Sequence, residues 1–217
     1  MERRDNYAMQ AEMAKKSFLT YDQEALIRKF RLRADGNYLY PVMLGDTYRL
    51  SRTTGELSRW AEDGWVDANS HGEVMTLLDL LCDSRDDRFL TGRWKTMQAF
   101  GNQFHRNLLE RPRDVTADRF ARNMADFNEA CRSLGGEPVP MGDSGWGIEL
   151  FDGLKIAVAL WQADEDFPAA LRYYWDENAL MYIRYETMYY AVDLLVRRLK
   201  ERTCAPSQKG ETENVRM

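Results

Sequence analysis

The sequence predicts an α+β fold in which several helices pack on a mainly antiparallel sheet within a single domain. Three patterns support this prediction: apolar residues recur at helical spacing before residue 30 and after residue 183, alternate at a spacing of two around 37–60, and form short runs within 148–175. The chain has 217 residues, 44% of them hydrophobic, which is enough to bury one complete core without disulfide or metal support.

The composition limits the classes of function. A net charge of −5 argues against a general affinity for nucleic acid, and no apolar run approaches the roughly 18 residues of a membrane span. The N-terminal segment is charged and lacks the apolar core of a signal peptide. Three widely spaced cysteines form neither a disulfide framework nor a zinc or iron–sulfur motif. We therefore expect a cytoplasmic protein that binds neither nucleic acid nor membranes.

Two helices are predicted at the start of the chain. Spacings of four, three and four place four residues on one face of the first helix: Tyr7, Ala11, Ala14 and Phe18. Thr20 and Gln23 have the spacing of a capping box, which predicts the start of the second helix. Asp35-Gly36 predicts its end, because glycine accepts the left-handed backbone that closes a helix.

A hairpin or meander is predicted between residues 37 and 60. Apolar residues of one parity mark its buried face: Val42, Leu44, Tyr48 and Leu50. Gly45-Asp46 and residues 53–55 have the composition of turns, and the second turn leads into a short strand around Leu57.

Helices are predicted again from Glu73, with His71 as a local cap before an apolar stripe: Val74, Leu77, Leu78 and Leu81. A second set at helical spacing predicts a further helix: Trp94, Met97, Gly101, Phe104 and Leu108. A third helix is predicted to run from an N-cap at Thr116 to the glycine pair at 135–136.

The strongest strand signals lie in the C-terminal half. Ile148–Phe151, Lys155–Trp161 and Ala169–Trp175 are short apolar segments, and an acidic loop joins the last two. The final helix, about 183–202, carries an apolar stripe that either packs on the protein's own core or forms a homodimer. One domain is expected over residues 1–202, followed by a mobile tail at 203–217.

Several motifs carry a family resemblance. They are Leu44-Gly45-Asp46-Thr47-Tyr48, Thr54-Gly55-Glu56, Gly92-Arg93-Trp94, Leu134-Gly135-Gly136, and above all the block from Trp161 to Asp176. Over about residues 21–200 the chain resembles the prokaryotic domain family numbered 3786 among the domains of unknown function. The resemblance implies a single domain in an anaerobic setting and no established activity. Some members look like fusions to a cysteine-rich iron–sulfur segment, but this chain has no Cys-x-x-Cys run and should hold no cluster itself.

The acidic loop is a candidate cation site. Asp164 and Asp166, with Asp143 from the preceding segment, offer the oxygen ligands that Mg²⁺ and Ca²⁺ prefer, and Glu165 could act as a base. The alternative is a solvated loop whose charges serve solubility. His71 and His105 match no metal or catalytic spacing.

Aromatic residues around the predicted sheet and last helix form a second candidate site. Four of them could line a pocket for a flat organic ligand or a partner: Trp161, Tyr173, Trp175 and Tyr189. The alternative is that they fill the core.

A non-catalytic binding protein is predicted, because no nucleophile motif, histidine pair or phosphate loop is recognisable. The family resemblance alone implies that it acts in anaerobic metabolism. Its partner could be a small molecule, a cofactor-bearing protein or another protein. The first alternative is an enzyme that uses a divalent metal held by residues 164–166. The second is a dimeric interaction protein.

Overall fold

The computed structural model describes residues 2–101 and 115–204, and within them it contains six α-helices and eleven β-strands. The helices are α1 (Glu2–Phe18), α2 (Gln23–Phe30), α3 (His71–Cys82), α4 (Val115–Arg122), α5 (Met124–Ser133) and α6 (Tyr185–Cys204). The strands are β1 (Arg33–Ala34), β2 (Tyr38–Tyr40), β3 (Val42–Met43), β4 (Asp46–Ser51), β5 (Leu57–Ala61), β6 (Gly64–Asp67), β7 (Trp94–Thr96), β8 (Glu137–Pro138), β9 (Ser144–Phe151), β10 (Leu154–Trp161) and β11 (Ala170–Asp176).

The strands divide between two antiparallel sheets, which confirms the predicted α+β fold. The N-terminal sheet has the order β1-β2-β4-β5-β6, with β3 paired to β4. The C-terminal sheet has the order β7-β11-β10-β9-β8. One cluster of buried apolar side chains contains members from both sheets and from the helices.

The first helix buries part of its predicted face, of which Tyr7 remains 47% exposed, and the second helix uses a different cap. Ala11 and Phe18 of α1 are buried. The N-cap of α2 is Asp22, whose carboxylate accepts a backbone amide of the first turn at 3.0 Å. The capping box predicted at Thr20 and Gln23 is therefore wrong. Aspartate caps as well as threonine does, so the sequence offered two competing starts.

Tight turns fold the N-terminal sheet. Arg31, with φ of 51°, closes α2 before the predicted end at Asp35-Gly36, and that pair instead lies between β1 and β2. The turn predicted near Gly45 is confirmed: Leu44 and Gly45, with φ of 51° and 76°, form the two-residue connection between β3 and β4. Two left-handed residues suit such a hairpin because their twist matches that of the strands. β5 begins at Leu57, as predicted.

Two predictions in the middle of the chain are wrong. Ser70, not His71, is the N-cap of α3, because its Oγ accepts the Glu73 amide and donates to the Glu73 carboxylate at 2.7 Å. Trp94–Thr96 is a strand that pairs with β11, whereas its spacing had predicted a helix. Phe104 and Leu108 of that predicted helix lie outside the described residues, as does His105.

The helix predicted over residues 116–134 is broken in two at Asn123. α4 begins at Val115, so the predicted cap Thr116 lies in its first turn. The predicted end is confirmed: Gly135, with φ of 72°, and Gly136 donate their amides to the carbonyls of Arg132 and Cys131, each at 2.9 Å.

The predicted strands of the C-terminal half are β9, β10 and β11. β10 is central and almost wholly buried, as its uninterrupted apolar run predicted. α5 lies against one face of this sheet, where Trp146 of β9 donates its indole N–H to Asn128 of α5 at 3.1 Å. The loop between β10 and β11 is the acidic segment, and it is exposed.

The last helix packs on the protein's own core. Its apolar stripe is buried against α3 and α5: Met188, Ala191, Leu194, Leu195 and Leu199. A homodimer through this helix stays a prediction, and that stripe is already occupied within the chain. α6 extends to Cys204, and residues 205–217 of the predicted tail lie outside the described residues. No described helix is long and apolar enough to cross a membrane.

Candidate functional site

The predicted aromatic site is divided between the two faces of the C-terminal sheet. Tyr173 pairs with Val158, which shares a face with Trp146 and hence with α5. Trp161 pairs with Ala170, and each of these residues lies three positions along its strand from the Val158–Tyr173 pair. Because side chains alternate along a strand, Trp161 lies on the face opposite Tyr173 and cannot share one pocket with it.

Tyr173 and Trp175 share one face of β11, whereas Trp161 lies on the other face of the sheet. Trp175 is fully buried, and its indole nitrogen has no hydrogen-bond partner in the described part of the chain. Tyr189 on α6 is partly buried, and its hydroxyl lies 2.8 Å from that of Tyr185. Burial raises the pKa of Tyr189, so the phenol stays neutral. Trp161 is covered by Arg172, whose guanidinium carbon lies 5.1 Å from the ring centroid. A ligand-binding role for any of the four stays a prediction.

The acidic residues satisfy their own turn. Oδ1 of Asp164 accepts the backbone amides of Asp166 and Phe167 at 2.9 and 2.7 Å, which closes an Asx turn. Oδ2 of Asp143 accepts the amide of Gln162 at 2.7 Å. Over residues 2–101 and 115–204, no group of three or more His, Cys, Asp or Glu side chains is placed to hold a metal ion. A divalent cation on this loop stays a prediction, and these contacts give two of its carboxylates a structural role.

The structure also contains a buried ionic network that no sequence pattern predicted. Arg198 on α6 is 2% exposed and donates to the Tyr48 hydroxyl at 2.8 Å and to the Glu73 carboxylate at 2.6 Å. Its Nε lies 2.9 Å from the carboxylate of Asp46, which also contacts Arg59 at 3.1 Å. Burial raises the pKa of Tyr48, so its hydroxyl remains a neutral hydrogen-bonding group. The network joins β4 and β5 to α3 and α6.

A second unpredicted feature covers the outer side of the N-terminal sheet. Leu39 pairs with Leu50, and both are fully buried, so their strand neighbours point outward. The outward positions of five neighbouring strands carry six aromatic and arginine residues, which we call the aromatic–arginine face: Arg33, Tyr38, Tyr40, Arg49, Trp60 and Trp65.

Cation–π contacts link the residues of this face. The guanidinium carbon of Arg49 lies 5.0 Å from the ring centroid of Tyr38 and 4.8 Å from that of Trp65. Arg33 lies over Tyr40 at 4.2 Å. Trp60 meets Trp65 edge to face at 5.2 Å and remains 49% exposed. Planar guanidinium groups stack on rings in this way, so the face is an ordered layer of side chains.

The charges of the face are only partly compensated. Neither Arg33 nor Arg49 forms a salt bridge with a carboxylate in the described ranges, and Nε of Arg49 is buried there without a hydrogen-bond acceptor. Asp35 accepts the Tyr40 hydroxyl at 2.7 Å, and this bond, helped by two backbone amides, lowers the pKa of Asp35. The face thus combines two arginines stacked on half-buried rings with one exposed tryptophan, Trp60.

The residues at alternate positions of these strands contained a sequence signal for the aromatic–arginine face. Tyr38 and Tyr40 flank the buried Leu39, and Trp60 and Trp65 also fall at outward positions. A sheet with one solvated face normally places polar residues there. Aromatic residues at the outward positions of neighbouring strands therefore indicate an unusual outer face.

Comparison with known proteins gives one result. No curated protein and no solved structure matches the chain. The model of the family described as Domain of unknown function (DUF3786) matches residues 22–198, most of the chain, and the protein therefore belongs to this family.

Proposed function

We propose that this protein is a non-catalytic binding protein and that it binds a protein partner through the aromatic–arginine face. The observation that carries the proposal is the ordered layer of tyrosine, tryptophan and arginine side chains, with Trp60 half exposed at one end. Tryptophan, tyrosine and arginine are the residues that contribute most often to the binding energy of protein interfaces.

The shape and charge of the face favour a protein over a small molecule. Small molecules bind in concave sites, whereas this surface is the open side of a sheet. Five strands spaced about 4.8 Å apart make it about 19 Å wide, the size of the central cluster of an interface. Since Arg33 and Arg49 lack carboxylate partners among the described residues, we expect a partner surface that presents acidic groups beside apolar side chains.

A cytoplasmic and anaerobic setting rests on the sequence and the family resemblance alone. The alternative of a metal-dependent enzyme needs carboxylates that converge, and Asp143 and Asp164 are engaged by backbone amides instead. Stacked arginine and aromatic side chains can also bind single-stranded nucleic acid, but a net charge of −5 disfavours that partner.

Site-directed photocrosslinking tests the proposal. A photoreactive phenylalanine analogue replaces Ser58, which faces outward beside Arg49 across the β4–β5 pair, or Phe167, a 70% exposed residue of the acidic loop. We expect a protein from extracts of the source organism to crosslink at 58 and not at 167. That protein is then purified and its affinity measured by calorimetry.

The affinity measurement decides the assignment. Trp60→Ala and Arg49→Ala are expected to weaken binding by about tenfold or more, and Phe167→Ala should leave it unchanged. Circular dichroism verifies that each variant is folded. Equal crosslinking at both positions, or an affinity that is insensitive to Trp60 and Arg49, would contradict a binding role for this face. Crosslinking to RNA instead of protein would show that the proposed class of partner is wrong.

A further inference from the structure

The N-terminal sheet ends in an unprotected strand, β6. Four strands lie at the ends of the two described sheets: β1, β6, β7 and β8. Three of them carry features that keep an edge from pairing with another strand. β1 and β8 are two residues long, with Arg33 and Pro138 respectively, and β7 has three residues with an exposed Lys95. β6 has four residues without lysine, proline or bulge, and only its last residue, Asp67, is charged.

The backbone of β6 leaves hydrogen-bonding groups at this open edge. The amide of Ala68, just after β6, donates to the carbonyl of Leu57 on β5 at 3.2 Å. Because hydrogen-bonded and non-hydrogen-bonded pairs alternate along antiparallel strands, Val66 also directs its amide and carbonyl toward β5. Trp65 and Asp67 therefore direct theirs away from β5, and no strand of the described ranges lies on that side.

Apolar side chains are exposed beside these backbone groups. Val66 is 41% exposed, although it lies on the inner face of the sheet with Arg59, its pair on β5. Trp60, which pairs with Trp65 on the outer face, is 49% exposed. A strand added beyond β6 would thus satisfy the free backbone groups and cover Val66 at the same time.

We infer that β6 pairs antiparallel with β6 of a second copy of this chain. A two-fold contact requires a surface that is complementary to itself, and β6 meets this requirement because Trp65 and Asp67 lie symmetrically on either side of Val66. Trp65 of each copy then exchanges two backbone hydrogen bonds with Asp67 of the other, and Val66 lies opposite its own equivalent. The two N-terminal sheets become one sheet with both aromatic–arginine faces on the same side. The inference needs no outside partner and is independent of the proposed function.

Sedimentation velocity of the full chain, from micromolar to millimolar concentration, tests for the dimer. We expect reversible dimers whose fraction rises with concentration. Val66→Lys and Val66→Glu each remove the apolar contact and place like charges opposite one another, so each should weaken self-association about tenfold or more. An equimolar mixture of these two variants should recover the dimer, because lysine then lies opposite glutamate. Val42→Lys, at a 53% exposed valine of β3, is the matched control and should associate as the wild type does.

Disulfide formation tests the register. Residues opposite each other at a non-hydrogen-bonded position of antiparallel strands have Cα atoms about 4.5 Å apart, within the range of about 4.4–6.8 Å that a disulfide spans. Val66→Cys should therefore form a disulfide-linked dimer under mild oxidation. Val42→Cys and the wild type, which has three native cysteines, measure the background.

Each outcome supports or overturns the inference. A wild type that stays monomeric at millimolar concentration would show that β6 does not pair with itself, and loss of partner affinity in Val66→Lys would then assign the edge to a strand of the crosslinked partner. Dimers that persist in Val66→Lys and Val66→Glu, or a Val66→Cys chain that links no faster than Val42→Cys, would place the interface elsewhere. Arg49→Ala, two strands away from β6, should leave self-association unchanged, which separates a failure here from a failure of the proposed function. Circular dichroism verifies that each variant is folded.

Discussion

Replacing Arg198 with methionine tests whether the buried ionic network holds the N-terminal sheet to the helices. The Arg198 side chain is 2% exposed, and that of Glu73, its partner at 2.6 Å, is 6% exposed. Methionine fills much of the same volume but supplies no charge. The variant therefore leaves the Glu73 carboxylate buried, with the Ser70 hydroxyl at 2.7 Å, the Tyr48 hydroxyl at 3.3 Å and Arg197 at 3.7 Å as its remaining partners among the described residues.

The expected loss of stability follows from those contacts. Removing one member of a buried ion pair costs about 3–5 kcal/mol, because the other charge stays desolvated. Asp46 keeps Arg59 at 3.1 Å and Arg202 at 2.7 Å, so Glu73 bears most of the penalty. We therefore expect a loss near the lower end, about 3 kcal/mol. For a domain of this size, that lowers Tm by about 6–12 °C.

Urea unfolding at pH 7, followed by circular dichroism, measures this loss. Arg202→Met is the control: its side chain is 39% exposed and, among the described residues, forms its one salt bridge with Asp46, so we expect about 1 kcal/mol or less. The double variant Arg198→Met/Glu73→Gln should recover a large part of the loss, because it leaves no uncompensated Glu73 charge. If Arg198→Met costs no more than Arg202→Met, or if the double variant is no more stable than Arg198→Met, the reasoning about desolvated Glu73 is refuted.

Two further predictions concern other buried contacts. Burial raises the pKa of Asp79 to about 6, from an ordinary value of 3.8, although the Arg184 amide and guanidinium oppose the shift. The folded state therefore binds the proton more tightly than the unfolded state, and this group lowers the unfolding free energy as the pH rises from about 4 to about 6. Asp79→Asn should gain stability relative to the wild type across that window in urea titrations, and a difference independent of pH would contradict the assignment. Gly142 and Gly92 both have positive φ, at 64° and 74°, but a Cβ at Gly142 would lie 2.6 Å from the Leu160 carbonyl oxygen, whereas nothing lies within 4 Å at Gly92. Gly142→Ala should thus lower Tm more than Gly92→Ala does, and equal shifts would show that backbone strain alone sets the cost.

Local patterns predicted the parts of the fold whose cause is local. The stripe of α6, the uninterrupted apolar run of β10 and the glycine closure after α5 all depend on residues within a few turns or one strand. β7 was mistaken for a helix because its apolar spacing fits both structures. Pairing with the distant β11, which settles the choice, leaves no trace in the sequence around Trp94.

The candidate sites were harder to predict, because their chemistry depends on which side chains the fold brings together. Arg198 and Glu73 lie 125 positions apart in the chain, and no local pattern links the two residues. The acidic loop looked like a ligand set, but Asp164 and Asp143 meet backbone amides that only the turn geometry presents.

The aromatic residues show the same principle at the level of a sheet. Strand pairing places Trp161 on the opposite face of the sheet from Tyr173. It therefore separates two aromatic residues that lie close together in the sequence. Register also brings Arg49 between Tyr38 and Trp65, from three strands, and creates a face that no single segment contains. Composition supplies the aromatic and cationic groups, and strand pairing decides which of them a partner can reach. Trp60 and Arg49 are therefore the residues whose substitution tells most directly whether this face binds.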